Sequence, residues 1–436
     1  RLMLALLAVL QLQAAAVPAA PDDSLPVVTL AEAVRRATGL DPNYVAAIGQ
    51  VDNAVWVRRS AFSVFILPSI TLNADASHLN PPSFNFITGG PEPLGTQVTA
   101  QLNARYDLFL GGQKLAELSR SGAALEAAHA GELVARFAVA QRTESTYYAV
   151  LADAELLRVA RERMQRAEQQ LAVARARVVS GAAVQTDSLQ LRLELTKARV
   201  ARLLQESALR IARLELGRRV GAAGPVDAAP LDTTPAPDLP ITLADAISQG
   251  ATQGPQYRVA RANERVAGAA FRARLGDYLP HATLSFNALA FDTLFFPKFF
   301  KRTTLTLGVS FPLFDNGQRE IALSRARANR DAARAIREDK DRAVQRDVTA
   351  AYDGYVTARA AAQQAGEGLL VARENYRVQQ SRYRAGATTI LDLLKAQSDL
   401  DDADAVLVQA RYATRLALAG LENILGRRLF QEQEQR

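Results

Sequence analysis

The sequence predicts a mostly α-helical chain built as a tandem duplication, with two pairs of amphipathic β-strands set among its helices. The first observation behind this is the stretch from Gly317 to Gly426, which reads as a very long helix, a tight turn at Gly386 and a shorter returning helix. Its outgoing seam runs Val344, Val348, Ala351, Tyr355, Ala358, Ala362, Ala365, Leu369, Ala372, Tyr376, Gln379 and Tyr383, interrupted only by Gln379. The return seam runs Leu393, Ala396, Leu400, Ala403, Leu407, Ala410, Thr414, Ala417, Leu421 and Ile424. A repeat of about 3.5 residues keeps one stripe on a partner only if the helices supercoil, so this is a coiled-coil hairpin. Its many Ala positions let backbones approach closely and suit packing against several neighbours.

The second observation is self-similarity. TLAEAV at 29–34 returns as TLADAI at 242–247, LPSITLNADA at 67–76 as LPHATLSFNA at 279–288, and YDLFLGGQK at 106–114 as FPLFDNGQR at 311–319. The turn Gly181 returns as Gly386, an offset of 386 − 181 = 205. The third is strict alternation. Val98, Ala100, Leu102, Ala104, Tyr106 and Leu108 oppose Gln97, Thr99, Gln101, Asn103, Arg105 and Asp107. Leu305, Leu307, Val309 and Phe311 likewise oppose Thr304, Thr306, Gly308 and Ser310.

In chain order, residues 1–19 (Arg1, the apolar LMLALLAVL, then a small-residue end) read as a secretory signal peptide truncated at its start and cleaved after Ala19. Residues 27–223 form the first repeat, with strands at about 68–79 and 96–109 and a helical hairpin at 112–220. The Pro-rich stretch 224–240 is a linker. Residues 241–429 form the second repeat, with strands at about 280–291 and 303–314 and a hairpin at 317–427; a polar tail follows at 430–436. Thr29 and Thr242 are N-cap candidates, with Glu32 and Asp245 at the third helical position. The second helix of each copy follows Asp41-Pro42 or Gly254-Pro255 and stops before Pro68 or Pro280.

Two-faced strands of this length fit an outer-membrane barrel, apolar to lipid and polar to water. They equally fit a soluble sheet packed on a core, and alternation does not separate the two. Four strands do not close a membrane barrel, and open edges are not tolerated in lipid, so a membrane reading requires several chains; three supply twelve strands. Phe residues in the loops 80–94 and 292–302 are either an aromatic girdle or loop packing.

Composition narrows the function classes. Apolar residues make up 49% and charged residues 22%, as in a folded protein. The net charge of +7 and pI near 9.7 raise the question of nucleic acid. In 325–347, however, Arg alternates with acids as on a solvated helix face, and no stacking aromatics are interleaved. Cysteine is absent, which predicts no disulfides, no thiolate chemistry and no lipidated N-terminal Cys. His78, His129 and His281 lack metal-ligand spacing, Gly111-Gly112 lacks a phosphate-loop pattern, and Trp56 reads as a packed core residue. No catalytic residue, cofactor or metal site is predicted.

The leader, the tandem repeat opening on TLAEA, the strand pair before each hairpin, and the tip segments VSGAAVQTDSLQ (179–190) and SRYRAGATTILDLLKAQ (381–397) together resemble TolC-type outer-membrane efflux proteins over about residues 27–429. The resemblance implies a homotrimer in a Gram-negative-type envelope. A twelve-stranded barrel in outer-membrane lipid continues into a periplasmic α-helical barrel. Its tips meet a periplasmic adaptor (membrane fusion) protein and an inner-membrane pump of RND or ABC type, for efflux or type I secretion. It implies that Tyr383 bonds across to Asp187, next to Thr186, to hold a closed aperture. Asp392 would line an anionic constriction, and the turns at Gly181 and Gly386 would contact the adaptor. Thr388 stands where the family has an Arg that supplements the clamp, and Lys395 where a second acidic ring would lie. Other readings stay open: Asp187 and Asp392 sit in first helical turns, where an acid favours the helix dipole, and Tyr383 belongs to an apolar seam. The competing function is a soluble periplasmic coiled-coil adaptor or scaffold.

Overall fold

The computed structural model describes residues 25–78, 84, 85, 87, 90, 91, 96–231, 236–292 and 300–430. The leader at 1–19, the tail beyond residue 430 and most of both Phe-rich loops lie outside the described residues. The elements run β1 (Val27–Val28), α1 (Leu30–Leu40), α2 (Pro42–Ile66), β2 (Ser69–His78), β3 (Phe84–Asn85), β4 (Gly90–Pro91), β5 (Thr96–Leu110), α3 (Gln113–Val179) and α4 (Gln185–Val220). The second half follows with β6 (Asp227–Ala228), α5 (Leu243–Gln253), α6 (Pro255–Leu275), a 3-10 turn (Gly276–Tyr278), β7 (His281–Asp292), β8 (Phe300–Ser310), α7 (Gln318–Arg384) and α8 (Ile390–Leu425). The duplication extends to element lengths: α3 and α7 each have 67 residues, α4 and α8 each 36. At about 1.5 Å per residue the longer pair reaches roughly 100 Å.

Local chemistry sets the boundaries. The Asp41 carboxylate accepts from the Asn43 and Tyr44 amides at 2.8 and 3.3 Å and starts α2. Thr242 and Asp245 form a reciprocal cap on α5, whereas Gly254 opens α6 without a side-chain cap. Strand β8 stops at Ser310, short of the expected 314. Pro312 has no amide to donate, and Asn316 and Gly317 turn at positive φ into α7. The linker carries a strand the sequence reading missed: β6 pairs in parallel with β1, Val27 opposite Asp227 and Val28 opposite Ala228.

The chain divides into two compact units, one made of residues up to Ala37, Thr143–Thr234 and Gly366–Tyr412, the other of Thr38–Arg142, Pro235–Ala365 and Ala413 onward. The first has a core of Val28, Ala33, Tyr147, Val150, Leu209, Leu216, Val220 and Val226. The Tyr147 hydroxyl donates to the Ala229 carbonyl at 2.8 Å, pinning the linker. In the second, Ala246, Val348, Leu421 and Leu425 pack together. Seam residues seven apart are buried as supercoiling requires: Leu369, Tyr376 and Tyr383 on α7, and Leu393, Leu400, Leu407, Thr414 and Leu421 on α8.

The second unit holds a four-stranded antiparallel sheet ordered β2-β5-β7-β8, so strands from both repeats share it. The Tyr106 hydroxyl donates to the Phe65 carbonyl at 2.9 Å and ties β5 to the end of α2. A bulge at Leu108 ends the alternating row of β5, because Asp107 faces Thr283 while Phe109 already faces Ala282. The apolar rows of the two outer strands are exposed among the described residues. Ile70 and Leu72 on β2 are 65% and 71% exposed, and Leu305, Leu307 and Val309 on β8 are equally bare. The polar face carries its own network, with Asn287 donating to Asn103 at 2.8 Å and Gln101 to Asn103 at 3.1 Å.

Trp56 is not the core residue expected from the sequence. It is 66% exposed, with the Arg59 guanidinium 4.9 Å from its ring. Apolar residues run all around α2, and within this chain the helix buries only Ala47 and Ala54. On α7, Arg334 and Arg337 pair with Glu338 and Asp341 on the same helix, and Arg337 reaches Glu264 of α6 at 2.7 Å. Part of the charge of the basic run is therefore paired within the chain.

Candidate gate at the hairpin tips

Both tips lie in the first unit and share one backbone design. At the first, the Gly181 amide donates to Val178 and the Ala182 amide to Arg177, at 3.1 and 2.8 Å; at the second, Gly386 donates to Tyr383 and Ala387 to Arg382, at 3.0 and 2.8 Å. These are paired Schellman bonds, and they require a left-handed residue at the turn. Gly181 and Gly386 both supply φ 74°.

The side chains have diverged between the copies. At the offset of 205, Asp392 corresponds to Asp187 and Thr389 to Val184. Asp392 accepts from the Thr388 and Thr389 hydroxyls at 2.9 and 2.7 Å and from the Thr389 amide at 3.2 Å, while its own amide donates back to Thr389 at 3.2 Å. The Thr389 and Thr388 hydrogen bonds hold its carboxyl below the usual carboxylate range. Val184 at the N-cap of α4 makes no side-chain hydrogen bond, so the threonine contacts that engage Asp392 are not repeated at Asp187. Thr186 beside it is exposed.

Tyr383 is 5% exposed. Its hydroxyl is buried without a hydrogen bond of good geometry. Burial first, and the Asp187 charge second, push its pKa up, so the expected pair adjoin with the bond not closed. Lys395 reaches Asp399 at 3.2 Å and stays 77% exposed.

Behind the tips the two hairpins are joined by polar contacts that sequence reasoning did not find. Arg166 of α3 binds Asp401 of α8, and Arg163 lies 3.3 Å from the same carboxylate while also binding Glu194 of α4. Asp401 is 6% exposed; burial raises its pKa, and Arg166 opposes the rise. Burial also works against the charge on Arg163, but Glu194 and Asp401 outweigh it and its pKa ends raised. One heptad below Tyr383, the Gln170 amide donates to the buried Tyr376 hydroxyl at 2.8 Å. Gln397 is buried with both amide atoms lacking hydrogen bonds. The available signal was Tyr376, seven residues before Tyr383 on the same seam.

The profile of the family described as Outer membrane efflux protein matches residues 57–222 and 246–427, most of the chain and once per repeat. The chain belongs to that family. As an outer membrane efflux protein it resides in the cell outer membrane, with a large periplasmic portion. Pyoverdine export outer membrane protein OpmQ of Pseudomonas putida is 26% identical over 380 residues, covering 83% of this chain and 78% of OpmQ. Protein CyaE of Bordetella pertussis is 35% identical over 130 residues, and the match spans only 27% of CyaE and 29% of this chain. The crystal structure of the outer membrane protein VceC from Vibrio cholerae superposes with a TM-score of 0.79 at 17% identity, covering 92% of this chain and 96% of VceC. At that identity the likeness speaks for the fold: long duplicated helical hairpins carrying membrane strands.

Proposed function

We propose that this efflux protein is the outer-membrane duct of a tripartite system, passing substrates without catalysis from an inner-membrane pump and periplasmic adaptor, and gated at its hairpin tips. One observation carries the reading: a four-stranded sheet whose outer strands β2 and β8 carry exposed apolar rows and, among the described residues, have open edges. Water does not favour those rows and lipid does not accept those edges. Because every pair is antiparallel, β2 and β8 run in opposite directions, and the β2 edge of one copy meets the β8 edge of the next in the same antiparallel sense. Three copies of four strands close a barrel of twelve, above the minimum of about eight for membrane barrels. The soluble adaptor or scaffold reading requires the same strands to be buried on the chain's own helices, and they are bare.

In the gate, a hydrogen bond from Tyr383 to Asp187, not closed in this structure, forms between the two tips of a chain in the closed state, with Thr186 beside it. Three copies of Asp392 set an anionic constriction that attracts cations. Thr388 and Thr389 orient that carboxylate and keep it ionised, while Lys395, one turn on, reduces the local negative charge. The turns at Gly181 and Gly386 face the adaptor. The relative that exports pyoverdine supports outward transport as the direction. The test is conductance of the detergent-solubilised protein in planar bilayers. Ion conduction that rises in Tyr383→Phe, and cation block that weakens in Asp392→Ala, are expected. A silent wild-type trimer that stays silent in both variants contradicts the duct.

A further inference from the structure

Arg177 is the side chain that touches both tips. It lies in the last turn of α3, four residues before Gly181, and its guanidinium makes three contacts in different directions. One nitrogen donates to the Tyr383 carbonyl on α7 at 2.6 Å, another donates to the Ala182 carbonyl in its own turn at 3.3 Å, and the plane lies 4.9 Å from the centre of the Tyr383 ring. The Tyr383 carbonyl belongs to the last turn of α7, where a cation is favoured by the helix dipole. It already accepts from Gly386 at 3.0 Å, and Arg177 takes its second lone pair. A Cβ on Gly386 would sit 3.7 Å from the guanidinium, so the second tip is also in contact with this group.

The duplication supplies an internal control. Arg382 holds the corresponding place in the second copy and donates to the Ala387 carbonyl of its own turn at 3.4 Å, repeating the local contact. It is exposed, whereas Arg177 is half-buried, and the residue that corresponds to Tyr383 is Val178, which has no ring to stack on. The local turn contact is therefore common to both copies, and the bond across to the other hairpin is particular to Arg177.

We propose that Arg177 is a positioning residue that fixes the first hairpin tip to the second within each chain, so that the two tips move as a pair. Its consequence for conduction rests on the gate reading above; its structural role does not. A planar fork is needed to reach two carbonyls and lie over a ring at once, which Lys does not provide.

The chain has no cysteine, so Ala182→Cys with Ala387→Cys, both at exposed positions, gives a background-free pair of spin labels on the full protein in detergent. The shortest label distance is expected to be narrow in the parent. In Arg177→Ala it should shift to longer distance and broaden; in Arg177→Lys the shift should be partly restored; in Arg382→Ala it should stay as in the parent. A parent-like distribution in Arg177→Ala, or equal broadening in Arg382→Ala, overturns the proposal. Bilayer conductance of the same variants reads the gate separately: separated tips with unchanged conductance keep the role of Arg177 and reject the gate.

Discussion

Asp187 and Asp392 hold the same place in two copies of one unit, and their neighbours give them different work. Asp392 is engaged by two hydroxyls and an amide of its own tip, whereas Asp187 follows Val184, which gives no side-chain cap, and its charge helps to raise the Tyr383 pKa. Asp392→Ala should therefore loosen the start of α8, because the Thr388 and Thr389 hydroxyls and the Thr389 amide lose their acceptor. Faster amide exchange confined to residues 390–393 would show it. The pH dependence has a definite sign. Asp392 has a folded pKa below its unfolded value, so its contribution is fully present above the unfolded value and lost as pH falls through the folded one. The difference in exchange between parent and Asp392→Ala should vanish in that acid window. Buried Asp401 has the opposite sign: its raised pKa makes the fold favour its protonated form, and that contribution is lost as pH rises through the raised value.

At the scale of elements, each tip is a long helix, a left-handed glycine and a returning helix. Gly386→Ala places a Cβ at φ 74° and should cost roughly 1–2 kcal/mol, with the tip turn exchanging faster while the sheet is unaffected. Asp401→Ala leaves Arg163 and Arg166 without their shared acceptor. Both guanidiniums keep some access to water, so the loss should be on the order of 2 kcal/mol, below that of a fully buried pair. Exchange at 163–170 and 397–404 measures it, and a much smaller effect in Asp401→Asn would identify the cost as stranded hydrogen bonds. The helices were legible because burial follows spacing: Leu393, Leu400, Leu407 and Leu421 can be read as one buried stripe without coordinates. The tip turns were legible because glycine at a helix end has few alternatives. The contacts between hairpins were not. Arg177 meets Tyr383 across 206 residues of chain, and nothing in either segment marks the other. The two-residue pair β1–β6 was hidden for a related reason, being too short to show alternation and lying in a Pro-rich stretch. Trp56 was misread because apolar character was taken for burial, and the sequence alone does not show which neighbours α2 has in one chain.

For the whole molecule, the strands decide what the protein is. Their alternation allowed a soluble sheet or a lipid-facing one, and the structure leaves the apolar rows on β2 and β8 uncovered. An Arg on that face, as in Leu305→Arg, should cost about 2–4 kcal/mol near the bilayer centre and reduce insertion, whereas Thr306→Arg on the opposite face should be tolerated. Recovery of each variant in the outer-membrane fraction separates them. Edge closure is the claim most open to direct measurement. Within one chain β2 and β8 are separated by β5 and β7, about 14 Å at the usual strand spacing, too far for a disulfide. Cysteines placed mid-strand on the polar faces of β2 and β8, Asn73→Cys with Thr304→Cys and neighbouring registers, can then join only different copies. Oxidation in the membrane is predicted to give a covalent ladder that stops at three chains in at least one register; a monomer that never crosslinks in any register, or a ladder that runs past three, contradicts the trimeric barrel.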